Sequence, residues 1–244
     1  MDTPALVSLT FDDGLHCQFE RAVPILDRHS FSATFFLVAN SDPVHTDGRQ
    51  HPDWRKINWS EEDNQLLRSM VQQGHEIGAH SVTHTESELD SDPKGEAEKS
   101  KRWIEDRLGV EVPSYCYPFY YINPSIKNAV ISAGYKQARW GANGSYYSLH
   151  SQIDYFQVDC RLITSSENVE GWIRPGCWHV LMFHGIGTWC DGWSPISVAE
   201  FTRQMAELAK HRDSGAVEVV TFKDGAGRLR QAKKPTPPRL RRSQ

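Results

Sequence analysis

Short apolar runs that alternate with segments of helical periodicity constrain the fold of this chain more than any other feature. Residues 5–11 and 33–38 are apolar or β-branched almost throughout and are too short to be buried helices, so they predict buried strands. Segments with helical spacing lie between such runs; residues 63–73, for example, have their apolar side chains on one face and end before Gly74. About seven such strands, most of them followed by a helix, predict a single α/β domain with a largely parallel sheet that curves into a barrel.

Length and charge narrow the class of protein. A chain of 244 residues with 39% apolar and 24% charged residues has ordinary globular composition, and it can bury a core without a disulfide or metal staple. We expect residues 1–230 to form the domain and the basic, proline-rich residues 231–244 to form a disordered tail. A net charge of −4 argues against a nucleic-acid partner.

The sequence also bears on the compartment. No run approaches the length of a membrane-spanning helix, and the first residues lack the basic and apolar regions of a signal peptide. We therefore expect a cytoplasmic protein, or a secreted one whose export signal is missing from this sequence. Five cysteines at unrelated spacings match neither a zinc knuckle nor a dense disulfide framework, so they leave the compartment open.

Titratable side chains cluster where the predicted strands end. Asp12 and Asp13 follow the first strand, and two adjacent carboxylates near an apolar core are costly unless a cation relieves them. His80 and His84 follow the third strand at a spacing of four residues, which lets two imidazoles hold one metal ion. Together with Asp13 they would form a site of two histidines and one carboxylate with open positions, which is typical of catalytic metals.

The last histidine of interest, His184, follows the predicted strand 178–183 and precedes two glycines. An acid or base at such a strand end would meet a ligand. Aromatic side chains occur in loops after strands, where they would either stack on sugar rings or pack the loops against the barrel; these are Trp140, Trp189 and Trp193.

Three segments, taken together, resemble the motifs of one known family. Residues 10–14 (Thr-Phe-Asp-Asp-Gly), 80–84 (His-Ser-Val-Thr-His) and 181–184 (Leu-Met-Phe-His) look like the first, second and last motifs of the polysaccharide deacetylases, the NodB-homology family or carbohydrate esterase family four. Residues 33–36 and 74–78 lie between them as in that family, and the resemblance covers about residues 5–225. It implies a distorted (β/α) barrel of about seven strands, in agreement with the strand count above.

The resemblance also implies roles for individual residues. Asp13, His80 and His84 would bind one divalent metal ion, most often zinc, while Ser81 would support the metal loop by hydrogen bonding. Asp12 would be the general base and His184 the general acid. The stretch that matches the third motif would contribute to substrate binding, with the backbone N–H of its last residue facing the oxyanion; it comprises Tyr117, Pro118 and Phe119.

The chain departs from the family at the third motif, where Cys116 replaces the arginine that normally holds the base. Another guanidinium should then approach Asp12, and we expect it to be that of Arg161, with Arg139 as the second choice. Asp159, two residues before Arg161, could instead orient His184, so the two roles remain open.

The function implied is that of a metal-dependent hydrolase that removes acetyl groups from N-acetylated amino sugars of a chitin-like or peptidoglycan-like glycan. One alternative is a hydrolase of the same fold that acts on a small cyclic amide or imide, as allantoinase-like and imidase-like relatives do. Another is a non-catalytic glycan-binding protein, for which the missing third-motif arginine is the only support.

Overall fold

The computed structural model describes residues 3–39, 54–164, 171 and 173–232. The strands are β1 (Ala5–Phe11), β2 (Thr34–Leu37), β3 (Glu76–Ala79), β4 (Ser114–Cys116), β5 (Gln137–Arg139), β6 (Tyr146–Ser148), β7 (Arg161–Leu162), β8 (Cys177–Phe183) and β9 (Val217–Val219). The helices are α1 (Val23–Arg28), α2 (Glu61–Gln72), α3 (Glu86–Ser91), α4 (Pro93–Leu108), α5 (Pro124–Ser132), α6 (Val198–Asp213) and α7 (Phe222–Ala232). A π-helix spans Gln18–Ala22, and a single 3₁₀ turn spans Pro118–Tyr120.

The strands form one curled sheet in the order β5-β4-β3-β2-β1-β8-β6, while β7 pairs with β8 and β9 with β1. The pairings are parallel except for that between β6 and β8. In the register of the sheet, Phe11 at the end of β1 lies opposite Phe35 of β2 and Phe183 of β8. Because the strands are parallel, the residues that follow them emerge at one edge of the sheet, where α/β folds build their sites.

An aromatic cluster packs at the strand ends that form this edge of the sheet. The Phe11 ring stacks between those of Phe35 and Phe183, with centroid distances of 4.8 and 5.2 Å, and the Phe201 ring of α6 meets both Phe11 and Phe183 edge-on. All four side chains are fully buried. Such close packing resists movement of the strand ends that follow it.

Several helices begin where the sequence provides a capping side chain. Ser60, Asp92 and Ser197 each accept a hydrogen bond from the backbone N–H three residues later, at the starts of α2, α4 and α6. At its other end α4 stops at Gly109, whose φ of 68° is in the left-handed region that glycine adopts without strain.

The α/β class and the curled, mainly parallel sheet confirm the predicted fold. The sequence did not predict β5 or β6, and it did not predict α7, which runs to Ala232 and so includes the first two residues of the expected tail. The rest of that tail, 233–244, lies outside the described residues. Within the described part of the chain, every helix is too short or too polar to cross a membrane.

Candidate active site

The side chains at the strand ends meet in one cavity of about 370 Å³. Asp12 and Asp13 reach it from the end of β1, His80 from the end of β3 and His184 from the end of β8. The cavity is lined by Asp12, Asp13, Trp54, His80, His84, Tyr117, Phe119, Tyr120, His184 and Trp193.

The three predicted metal ligands lie together at the base of this cavity. Asp13 Oδ1 is 3.6 Å from His80 Nε2 and 3.3 Å from His84 Nε2, and all three side chains are buried. The backbone bends tightly at these positions: Asp13 after β1, and Ser81 and His84 after β3, have left-handed φ values of 75°, 66° and 54°. The Ser81 hydroxyl accepts a hydrogen bond from the His84 N–H at 3.0 Å and so closes the loop between the two histidines.

The protonation of these groups suits a divalent cation. His80 Nδ1 lies 2.9 Å from the Cys116 carbonyl oxygen, so a proton on Nδ1 leaves the lone pair of Nε2 facing Asp13. Burial lowers the pKa of His80 and holds that of His84 well below its ordinary value, which keeps both imidazoles neutral at pH 7. Burial alone would raise the pKa of Asp13, but Lys56 and the nearby imidazoles together outweigh it and lower that pKa. One carboxylate and two neutral imidazoles are ligands that zinc prefers.

Arg139 holds the carboxylate of Asp12. Its Nη2 donates a hydrogen bond to Asp12 Oδ2 and another to Cys116 Sγ at 2.7 Å, while Nη1 donates to Cys160 Sγ at 2.9 Å. Burial disfavours the charge of the guanidinium, yet Asp12, together with the smaller contributions of Cys116, Cys160 and Tyr120, outweighs it and holds the pKa of Arg139 well above its ordinary value. Asp12 Oδ1 has no hydrogen-bond partner among the described residues, so one oxygen is held and the other is available.

The predicted contact between Asp12 and Arg161 is therefore wrong, and the second choice, Arg139, makes it. Arg161 Nη2 donates to the Gly144 carbonyl oxygen at 3.3 Å instead. The reason lies in β5, which pairs with β4 so that Arg139 stands beside Cys116. The guanidinium thus reaches Asp12 from the strand next to the one on which the family carries its arginine.

Asp159 does not orient His184. Its two carboxylate oxygens accept hydrogen bonds from the N–H groups of Asn143 and Ser145, both at 3.0 Å, so it fixes the loop after β5. His184 Nδ1 has no hydrogen-bond partner within the described part of the chain, and His184 Nε2 lies 3.5 Å from Asp12 Oδ2.

The predicted substrate-binding residues divide into two groups. The Phe119 ring lies 4.4 Å from that of His84, and the Trp193 ring lies edge-on at 4.8 Å from that of His184, so both flank the site. Tyr117 also lines the cavity. The side chains that do not line it are Pro118, which begins the 3₁₀ turn, Trp140, whose Nε1 donates to the Tyr120 carbonyl oxygen at 2.7 Å, and Trp189, which is 64% exposed.

Two cavity residues were not predicted. Trp54 lines the cavity and its Nε1 donates to the Trp189 carbonyl oxygen at 2.7 Å, which joins two loops over the site. Tyr120 directly follows Phe119, and both have left-handed φ values of 58° and 55°. Proximity to the third motif could have identified Tyr120, whereas nothing in the sequence around Trp54 marks it.

Some known proteins are similar to this chain in sequence, and some solved structures are similar to it in fold. The chain is 31% identical over 114 residues to the uncharacterized protein YlxY of Bacillus subtilis, which covers 46% of this chain and 29% of that protein. It is 25% identical over 167 residues to a peptidoglycan-N-acetylglucosamine deacetylase of Bacillus cereus, which covers 66% of this chain and 53% of the relative. The chain thus spans about half the length of that deacetylase and less than a third of the other protein.

A solved structure with the same fold is the family 4 acetyl xylan esterase from Clostridium thermocellum in complex with a cobalt ion. It matches with a TM-score of 0.60 and 20% identity over 91% of this chain and 90% of that one. The family model described as "Polysaccharide deacetylase" matches residues 2–138, which include Asp12, Asp13, His80 and His84. The chain therefore belongs to the polysaccharide deacetylase family.

Proposed function

We propose that this protein hydrolyses the N-acetyl groups of amino sugars in a peptidoglycan-like or chitin-like glycan with the aid of one divalent metal ion, most favourably zinc. The observation that carries the proposal is the single cavity in which Asp13, His80 and His84 lie beside Asp12 and His184. The B. cereus relative, a peptidoglycan-N-acetylglucosamine deacetylase, and the cobalt ion of the acetyl xylan esterase support the substrate class and the metal.

The metal would be held by Asp13 Oδ1 and the Nε2 atoms of His80 and His84. When bound, such an ion polarises a carbonyl oxygen and makes a nearby water more acidic. Asp12 Oδ1 accepts the proton of the water that attacks the acetyl carbonyl, while Arg139 keeps Oδ2 in place. Because Arg139 holds one oxygen of the Asp12 carboxylate, the other oxygen points in a fixed direction. This favours attack by a water molecule in one orientation.

Release of the amine requires a proton, which His184 would give. Its ring lines the cavity, its Nε2 lies 3.5 Å from Asp12 Oδ2, and Trp193 packs edge-on against it at 4.8 Å. The backbone N–H of Phe119, in its left-handed turn, would donate to the oxygen that becomes negative in the transition state. Water and the amide are thereby converted to acetate and a free amino sugar.

The volume and the aromatic lining of the cavity suit one sugar unit of a chain. Its volume of about 370 Å³ lies at the lower end of the range of roughly 300–1,000 Å³ for ligand sites. Trp54, Phe119 and Trp193 provide apolar faces for a pyranose ring and an acetyl methyl group. A non-catalytic role loses its only support, because Arg139 provides the guanidinium that the third motif lacks.

Acetate release tests the proposal. The metal-free protein, reconstituted with zinc, is incubated with chitin oligomers, peptidoglycan, acetylated xylan and a cyclic ureide. We expect acetate from one or both amino-sugar substrates and its loss after exhaustive chelation. Turnover of acetylated xylan alone would assign an ester substrate, and ring opening of the ureide alone would assign the cyclic-amide class. Activity unaffected by chelation would refute the metal.

A further inference from the structure

Gln18 lies beneath the candidate site and is completely buried. Its Nε2 donates one hydrogen bond to the Asp12 carbonyl oxygen at 2.6 Å and a second to the His184 carbonyl oxygen at 3.0 Å. Its Oε1 accepts from the Leu15 N–H at 3.2 Å. One side-chain amide therefore joins the backbones of the two residues to which proton transfer is assigned.

The Gln18 amide binds Asp12 and His184 at the point where the pairing of β1 with β8 ends. The last register pair of β1 and β8 is Phe11 with Phe183, and one further backbone hydrogen bond runs from the Asp12 N–H to the Phe183 carbonyl oxygen at 3.1 Å. Beyond it, no further backbone hydrogen bond joins the two segments among the described residues, and Gln18 binds a carbonyl group of each. The Gln18 amide thus links the two segments by hydrogen bonds beyond the end of the strand pairing. Without the amide, each of the two buried carbonyl groups would be left without a hydrogen-bond donor.

The turn that carries Gln18 also makes hydrogen bonds and an ion pair with the loop after His184. Arg21 Nη1 donates to the Ile186 carbonyl oxygen at 2.8 Å, and it pairs with Asp191 at 2.9 Å. Cys17 Sγ accepts from the Ile186 N–H at 3.4 Å. These residues lie in or next to the π-helix, a rare conformation that is frequent at functional sites.

We propose that Gln18 is a positioning residue that sets the placement of Asp12 relative to His184. The inference rests on the proposed function, in which one group takes a proton and the other gives one at the same acetyl group. Asp12 Oδ2 and His184 Nε2 are only 3.5 Å apart, so a small shift of either strand end changes their relation. Two of the aromatic walls, Trp54 and Phe119, come from segments that Gln18 does not contact, so substrate binding should change less than kcat.

The first test compares Gln18→Met with Gln204→Met. Gln204 is likewise a buried glutamine, but it lies on α6 and donates to Glu200 and to the Thr164 carbonyl oxygen, outside the cavity. For Gln18→Met we expect kcat to fall by about 10- to 100-fold, since misplacement by roughly 1 Å can cost that much, with KM within about threefold. Gln204→Met should lose thermal stability but keep kcat within about twofold.

The second test uses Gln18→Glu and a pH profile. A protonated carboxyl group retains one O–H donor, whereas an ionised one only accepts and faces two carbonyl oxygens. We expect the kcat of this variant, relative to that of the natural protein at the same pH, to rise as the pH falls. Gln204→Glu should show no such trend, because a loss of packing alone does not depend on a donor at position 18.

Equal kcat values for Gln18→Met and Gln204→Met, after correction for the folded fraction, would overturn the inference, as would a change in KM alone. If both Gln18 variants are unfolded while Gln204→Met is folded, Gln18 serves folding, and the inference is again wrong. A natural protein that releases no acetate would refute the proposed function, whereas an active one with unchanged Gln18 variants would refute this inference alone.

Discussion

The two oxygens of the Asp12 carboxylate are in different surroundings, and this difference makes the residue suitable as a base. Oδ2 accepts from Arg139, while Oδ1 makes no hydrogen bond with any described residue. Burial raises the pKa of the Cys116 thiol well above its ordinary value and that of Cys160 to about 11, so both remain neutral. The neutral thiols do not compete with Asp12 for the charge of the guanidinium.

Arg139 is therefore predicted to matter where Arg161 does not. Arg139→Met should lower kcat by about 10- to 100-fold and destabilise the protein by about 3–5 kcal/mol, since Asp12 would remain as an unpaired buried charge. Arg139→Lys should restore only part of the activity, because a point charge cannot reproduce the guanidinium fork. Kinetics and denaturant unfolding of both variants, with Arg161→Met as the matched control, test this. Equal losses in Arg139→Met and Arg161→Met would contradict it.

The two adjacent aspartates are predicted to separate in their effects. Asp12→Asn should retain zinc while kcat falls by about 10²–10⁴, the usual contribution of a general base. Asp13→Asn should lose zinc, because only His80 and His84 would remain to bind it. Metal analysis of both purified variants after dialysis measures the difference. Zinc lost from Asp12→Asn and kept by Asp13→Asn would mean that the two roles are exchanged.

At the scale of elements, the sequence predicted the strands that carry the motifs and missed the one that carries Arg139. β1 and β8 are long apolar runs, and their ends bear Asp12, Asp13 and His184. β5 contains only Gln-Ala-Arg, which has no strand-forming residue, and it is held by pairing with β4 and by a bridge from Arg139 to Val158. Tertiary contacts created this strand, so the sequence could not show that Arg139 stands beside Cys116.

The loop after β8 depends on a close approach of two glycines. A Cβ at position 185 would lie 2.9 Å from the backbone N and Cα of Gly192, which is closer than side chains tolerate. Gly185→Ala should push apart the two segments of the loop that contain Gly185 and Gly192. This should move Trp193 away from His184 and lower both the melting temperature and kcat. The control is Gly227→Ala on α7, where a Cβ meets nothing within 4 Å.

We expect Gly227→Ala to keep its activity and to gain up to about 1 kcal/mol, since alanine favours a helix over glycine. Calorimetry and acetate release on the two variants give the comparison. A Gly185→Ala variant with natural stability and kcat would show that the loop can open without disturbing His184.

For the molecule as a whole, one buried histidine of β8 should make stability depend on pH. Burial and the charges of Arg161 and Arg174 together lower the pKa of His179 to about 4. Its Nε2 accepts a hydrogen bond from the Arg174 N–H at 3.0 Å, which the neutral ring alone can do. Between pH 6.5 and 4 the unfolded chain binds a proton that the folded protein does not. Stability from this residue is therefore complete above pH 6.5 and declines as the pH falls towards 4.

The loss over that range is about 3 kcal/mol at most, from a difference of 2.5 pH units between 6.5 and about 4. His179→Gln, which can still accept the Arg174 hydrogen bond, should flatten the dependence of the unfolding free energy on pH. Denaturant unfolding at several pH values measures it, with the exposed His150→Gln as control. Parallel curves for the natural protein and His179→Gln would contradict the assignment.

Metal binding should also stabilise the whole molecule, because the three ligands come from segments that only the fold brings together. Asp13 follows β1, whereas His80 and His84 follow β3, so the unfolded chain cannot present the same site. Zinc at about 100 times its Kd would add about 2.7 kcal/mol to the unfolding free energy. For a domain of this size, this corresponds to a rise in Tm of roughly 5–10 °C. The experiment is thermal unfolding of metal-free protein with and without zinc, on the natural protein, His84→Ala and the exposed control His150→Ala. The rise should occur in the natural protein and the control and be absent in His84→Ala. An equal rise in His84→Ala would place zinc elsewhere, and this result would hold whatever the substrate proves to be, since the measurement requires no turnover.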